Sequence, residues 1–181
     1  MRDKKAAMQM SMSTIVTIIL LVSVLILGIF LVQKIFGSAT TAVDLTDQQL
    51  KNEINKLFSE DKKLVIYPGT RSIDAAQGEN SGVGIGIKNL LKGDSSNQRF
   101  FYEVVVDDAS NCPGEEDSVS KWLKLGKVGN DIPIPVGDLS SQMVVINIPE
   151  GTALCSARFR VNVRAGEVDY ASDFFDVQVI A

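Results

Sequence analysis

The chain has 181 residues, 18 basic against 22 acidic side chains, a formal net charge of −4, two cysteines and no histidine. Without histidine, Ser-His-Asp and Cys-His nucleophile arrangements as usually built are excluded, along with the commonest metal ligand and near-neutral proton switch. The acidic balance argues against a nucleic-acid partner, and an apolar fraction of 45% argues against a disordered chain.

Residues 15–32 read IVTIILLVSVLILGIFLV, with no charge among them. A helix crosses about 30 Å of hydrocarbon with roughly 20 apolar residues, and 13–36 supplies that length. Thr17 and Ser23 can bond back to the preceding turn, so they are compatible with a span. Arg2, Lys4 and Lys5 precede the run and only Lys34 follows it closely. The positive-inside rule therefore predicts a cytoplasmic N-terminus and an exterior C-terminal part. From Asp44 onward the chain carries 14 basic and 21 acidic residues, a net −7. The competing expectation is a cleaved signal peptide, with Gly37-Ser38-Ala39 as the small-residue site. The apolar run is longer than the usual h-region, which favours retention.

After a small, weakly polar stretch at 37–43, Thr46 and Gln49 have capping-box spacing. Leu50, Ile54, Leu57 and Phe58 then mark one apolar face, which predicts an amphipathic helix over 46–60. Its stripe is expected to pack on the following domain; a self-bundling stalk and a helix resting on the outer membrane face are the alternatives.

From Lys62 the apolar period becomes two. Leu64 to Tyr67 stops at Pro68-Gly69. Val83, Ile85 and Ile87 alternate with Gly84, Gly86 and Lys88. Phe100, Tyr102, Val104 and Val106 alternate next, and residues 142–148 form a further run closed by Pro149-Glu150-Gly151. Ala153, Cys155, Ala157, Phe159, Val161 and Val163 share one face, against Ser156, Arg158, Arg160, Asn162 and Arg164 on the other. Phe175, Val177 and Val179 mark the last strand, with a phase slip at 172–174 that suggests a bulge. Seven or so short strands without intervening helices predict an immunoglobulin-like antiparallel β-sandwich over 62–181. The chain thus divides into a basic leader (1–12), a transmembrane helix (13–36), a linker with the amphipathic helix (37–61) and the exterior domain.

Cys112 and Cys155 are expected to form one disulfide, as exterior cysteine pairs do. The loop holding Asp107, Asp108, Glu115, Glu116 and Asp117 is rich in hard oxygen ligands suited to Ca²⁺. Its spacing does not match the EF-hand, and a solvated acidic loop is the plainer reading. Gly82, Gly84 and Gly86 lack the phosphate-loop spacing and instead leave one sheet face bare, where another backbone can approach. Trp122 is either a partner anchor at the surface or core. Arg158, Arg160 and Arg164 form a basic stripe. It is suited to an envelope protein or an anionic glycan, or is paired across strands with acids such as Asp169 and Asp176. No Asn-x-Ser/Thr sequon occurs. No catalytic constellation is visible, so neither an enzyme nor a cofactor is expected.

The opening KKAAMQMSMSTIVTIILLVSVLILG, residues 4–28, resembles the N-terminus of archaeal type IV pilin-like proteins, and the plan of an N-terminal helix with a β-rich head resembles archaellum-accessory proteins. The resemblance implies a cut near Ala6 or Ala7 and helices that bundle into a filament core. Pilins often carry Glu at the fifth mature position, whereas Ser11 or Met12 stands there in this chain. Ser13 and Thr17 offer the small-residue contact through which such helices approach. The sequence is therefore read as a single-pass, membrane-anchored envelope protein presenting a structural or binding module. The alternative is a pilin-like subunit.

Overall fold

The computed structural model describes residues 14–29, 47–93 and 98–180 of the chain, apart from the Glu115 side chain. Two units are distinguished, one ending at Ser38 and one beginning at Ala39. In the first, residues 14–29 form a helix, α1. Its large apolar side chains are 49–66% exposed on every side, from Val22 to Leu27. Ser23 Oγ donates to the Ile19 carbonyl at 2.8 Å, the back-bond that lets a hydroxyl sit in an apolar helix. Among the described residues no helix is long and apolar enough to cross a membrane. Ser13 and the remainder of the expected span, 30–36, lie outside the described residues, as do the basic leader, the Gly37-Ser38-Ala39 site and Thr46.

In the second unit, nine strands form two sheets among the described residues. In chain order the strands are β1 (Leu64–Tyr67), β2 (Ser72–Ala76), β3 (Asn80–Lys88), β4 (Phe100–Asp108), β5 (Leu123–Leu125), β6 (Val128–Ile132), β7 (Leu139–Asn147), β8 (Ser156–Ala165) and β9 (Val168–Ile180). The sheets run β1-β3-β7-β5 and β2-β9-β8-β4-β6. Apolar alternation drives this arrangement. Val83, Ile85 and Ile87 of β3 and Phe159 and Val161 of β8 are fully buried between the sheets. Phe159 and Phe175 stack there at 5.4 Å between centroids. Consecutive strands close both sides of the sandwich, β1 and β2 on one and β5 and β6 on the other, each pair crossing between sheets.

Several expectations are corrected. The sandwich is not wholly antiparallel, because β2 runs parallel to β9. Residues 68–71 carry the chain from the edge of one sheet to the edge of the other, where it joins the final strand rather than folding back on a neighbour in sequence. The register slip in β9 lies at Tyr170, the extra residue between Asp169 and Ala171 opposite Val163 and Arg164, not at 172–174. Ala153 precedes β8 and is exposed. The acidic loop contains a short helix, α3 (Glu115–Val119), ahead of a single 3-10 turn, Ser120–Trp122. Strands β2, β5 and β6, of three to five residues, are too short or too polar to show a period.

Helix α2 (Asp47–Leu57) covers the outer face of the first sheet. Leu50 and Ile54 are buried against Val65, with Leu57, Phe58, Tyr67 and Leu139 around them. Asp47 in the first turn and Lys56 in the last suit the helix dipole. The bare stripe expected at the β3 glycines is therefore filled from within the chain. A Cβ on Gly84 would come within 2.7 Å of Leu50 Cδ1, and one on Gly86 within 2.9 Å of both Phe58 and Val65.

Candidate functional site

The outer face of the second sheet carries the basic stripe. β8 alternates buried apolar with part-exposed polar side chains along its length, so Arg158, Arg160 and Arg164 all project from one face. Register then decides their partners. Arg158 lies opposite Asp176 of β9 and grips it with two hydrogen bonds, Nε–Oδ1 at 2.7 Å and Nη2–Oδ2 at 3.0 Å. Arg160 donates two bonds of 2.8 Å to the oxygens of Asp107 on β4. Arg164 stands opposite Asp169 in the ladder and is exposed.

The Arg158 guanidinium also lies over the Phe174 ring, 4.3 Å from its centroid, and Arg71 approaches the same ring at 5.7 Å. Arg71 pairs with Asp173 at 3.0 Å. This face thus carries two forked Arg–carboxylate pairs and a third ion pair, with Arg158 and Arg71 over the Phe174 ring. Hydrogen bonding from Arg160 holds the Asp107 carboxyl below its ordinary range, and the bonds Arg158 donates to Asp176 raise Arg158 further. Two of the three stripe arginines are committed to neighbours.

The described carboxylates of the acidic loop are engaged separately. Asp107 is held by Arg160, and Asp108 Oδ1 accepts from the Ser110 amide at 2.9 Å, which lowers its pKa. Glu116 and Asp117 sit in α3 and are exposed. Among the described residues no group of three or more His, Cys, Asp or Glu side chains is placed to hold a metal ion. Cys112 and Cys155 are joined, with Cα atoms 5.2 Å apart. Both are buried, at 4% and 6% exposure. Trp122, considered as a surface anchor, is 2% exposed and belongs to the main core beside Val119 and Leu123. The 3-10 turn points the indole inward, so it offers nothing to a partner.

A cleft of about 500 Å³ opens at one end of the sandwich, lined by Lys63, Leu91, Gln98, Glu167, Asp169 and Tyr170 among others. Tyr170 lines it and is marked by no motif. Its hydroxyl donates to the Lys88 carbonyl at 2.7 Å and accepts from the Leu90 amide at 2.9 Å. Lys63 Nζ sits 4.9 Å from the Tyr170 ring centroid, and Phe100 meets the ring edge to face at 5.1 Å. Burial raises the phenol, so it remains a neutral structural bridge. The only sequence signal for it is the apolar-phase break between Val168 and Phe175.

No protein-family profile matches this chain, and no curated protein does. Among solved structures it is similar to the CARDB domain of a Pyrococcus furiosus protein, solved with di-metal ions, at 13% identity over 69% of this chain and 97% of that one (TM-score 0.39). It is also similar to a Niemann-Pick type C2 protein from the Japanese carpenter ant, at 12% identity over 66% and 90% (TM-score 0.37). The N-terminal domain of a Streptococcus gordonii adhesin matches at 12% identity over 67% of this chain and 33% of that one (TM-score 0.37). At these values the likenesses decide nothing about function.

Proposed function

We propose that the chain is a single-pass cell-envelope protein whose apolar N-terminal helix anchors it, N-terminus inside, and whose immunoglobulin-like β-sandwich is presented outside as a structural or binding module. The observation that carries this reading is α1. It has no charged residue, large apolar side chains exposed on every face, and a sequence that stays apolar through Val32. In water such a helix would expose its apolar surface at a cost of about 25 cal/mol per Å². In lipid its backbone is satisfied internally and its side chains are at home. The buried disulfide supports an oxidising, exterior compartment for the sandwich. The ion-paired outer face of the second sheet gives the module a polar presenting surface rather than a lipid-seeking one.

The test is fractionation of native membranes at alkaline pH, followed by protease treatment of intact cells. The anchor reading expects the chain to stay with the lipid and the sandwich to be cut or labelled from outside. Release into the alkaline wash overturns it. The intact mass measured on the same material separates the pilin-like alternative. The full 19.6 kDa supports the anchored module, whereas loss of the first six or seven residues together with filaments in sheared material supports the subunit of a filament.

A further inference from the structure

The apolar cluster beneath α2 is separate from the main core. Leu50, Ile54 and Val65 form it, with a rim of Leu57, Phe58, Tyr67 and Leu139, while the residues between the sheets form a cluster of their own. The β1–β3–β7 sheet lies between the two clusters, and its ladder is closed without the helix: Leu64 to Tyr67 pair with Ile87 to Gly84, and Asn80 to Lys88 with Asn147 to Leu139. Leu64 and Ile66 face the main core, Val65 and Tyr67 the helix. α2 has 11 residues, shorter than the roughly 12–15 that give even marginal helicity in isolation. Undocking and unwinding are therefore one event. The glycines that make its seat are there for space. Neither Gly84 nor Gly86 has the left-handed φ that would demand glycine, and at both the nearest atoms to an added Cβ include side chains of α2.

We propose that α2 is a clasp that opens as a unit ahead of the rest of the domain, converting the chain before β1 from a docked helix into a free tether. Docked, residues 47–57 advance about 16 Å, at 1.5 Å per residue. Released, the same residues reach up to about 40 Å. The sandwich stays closed throughout, because its own core and ladders are not broken. This holds whether or not α1 crosses a membrane, so it stands apart from the anchoring proposal. It gives the domain two tether lengths, selected by load.

Native-state hydrogen exchange on the full chain in detergent tests it. Amides of α2 are expected to exchange through an opening at least about 100-fold more frequent than that of β3 and β8. Ile54→Ala should raise the α2 opening a further 30-fold or more while leaving β8 unchanged, since losing a buried isoleucine typically costs over 2 kcal/mol and 1.4 kcal/mol is tenfold. Gly86→Val suits the strand but occupies the seat, meeting Ile54 and Phe58 as well as Val65 of β1, so it should abolish α2 protection and spare β8. Exchange of α2 only together with β3 and β8 would overturn the proposal. So would Ile54→Ala loosening all three alike, a result that remains readable if Gly86→Val fails to fold.

Discussion

The bond between Cys112 and Cys155 makes the sharpest prediction about stability. It ties the loop after β4 to the residue preceding β8 and closes a sequence separation of 43. In the loop-entropy treatment, cross-linking ends 43 apart removes about 13 cal/mol/K from the unfolded chain, or about 4 kcal/mol at 25 °C. The native state loses little when the bond is open, because both ends are already pinned. The Cys112 amide donates to the Ala109 carbonyl at 2.9 Å, and the Cys155 carbonyl accepts from the Val179 amide at 2.9 Å. At about 3–4 °C per kcal/mol for a domain of this size, the reduced protein should melt about 12–16 °C lower. Both sulfurs are buried, so the chain should be unfolded, reduced and refolded under reductant rather than treated in the native state. Melting is then followed by near-ultraviolet circular dichroism, which reports the packed Trp122. A shift under about 4 °C would refute the reasoning, since the unfolded-state constraint would then be nearly worthless.

Three other expectations concern the core and the ion pairs. Trp122→Ala should cost about 3–5 kcal/mol in denaturant unfolding, as for other large buried aromatics, whereas a surface anchor would leave stability unchanged. Tyr170→Phe removes the hydroxyl that the part-buried Leu90 amide donates to and should cost about 1 kcal/mol, read as a lower midpoint with unchanged m-value. Asp107 and Asp108 have folded-state pKa values below their ordinary 3.8, so their contribution is full above that pH and lost as the pH falls through the lower folded values. The acid limb of a pH–stability curve should therefore be shallower in Asp107→Asn than in the parent. Identical limbs would show that the Arg160 pair contributes nothing.

Legibility in the sequence varied by element. Strand β8 could be read residue by residue, because six apolar positions at period two admit one face only, and all but Ala153 are buried. Helix α2 was placed to within three residues at its C-terminal end by its Leu50–Ile54–Leu57 stripe. The short edge strands β5 and β6 were not visible. They carry too few residues for a period, and they form because β7 and β4 offer unpaired edges. Trp122 could not be assigned from a local context of Lys121 and Lys124. Its burial depends on the turn that follows α3.

What the sequence determined by itself is what depends on neighbours along the chain. That includes the apolar character of α1, the two-residue period of β3, β4 and β8, the amphipathic stripe of α2 and the number of cysteines. Tertiary structure alone decided who meets whom. Arg160 finds Asp107 across 53 positions, Arg158 finds Asp176, and the space above Gly84 and Gly86 is taken by α2 rather than by another chain. The physical reason is that periodicity encodes which side of an element faces inward. The partner opposite is fixed only when strand register and sheet order bring distant segments together, and no local pattern carries that information.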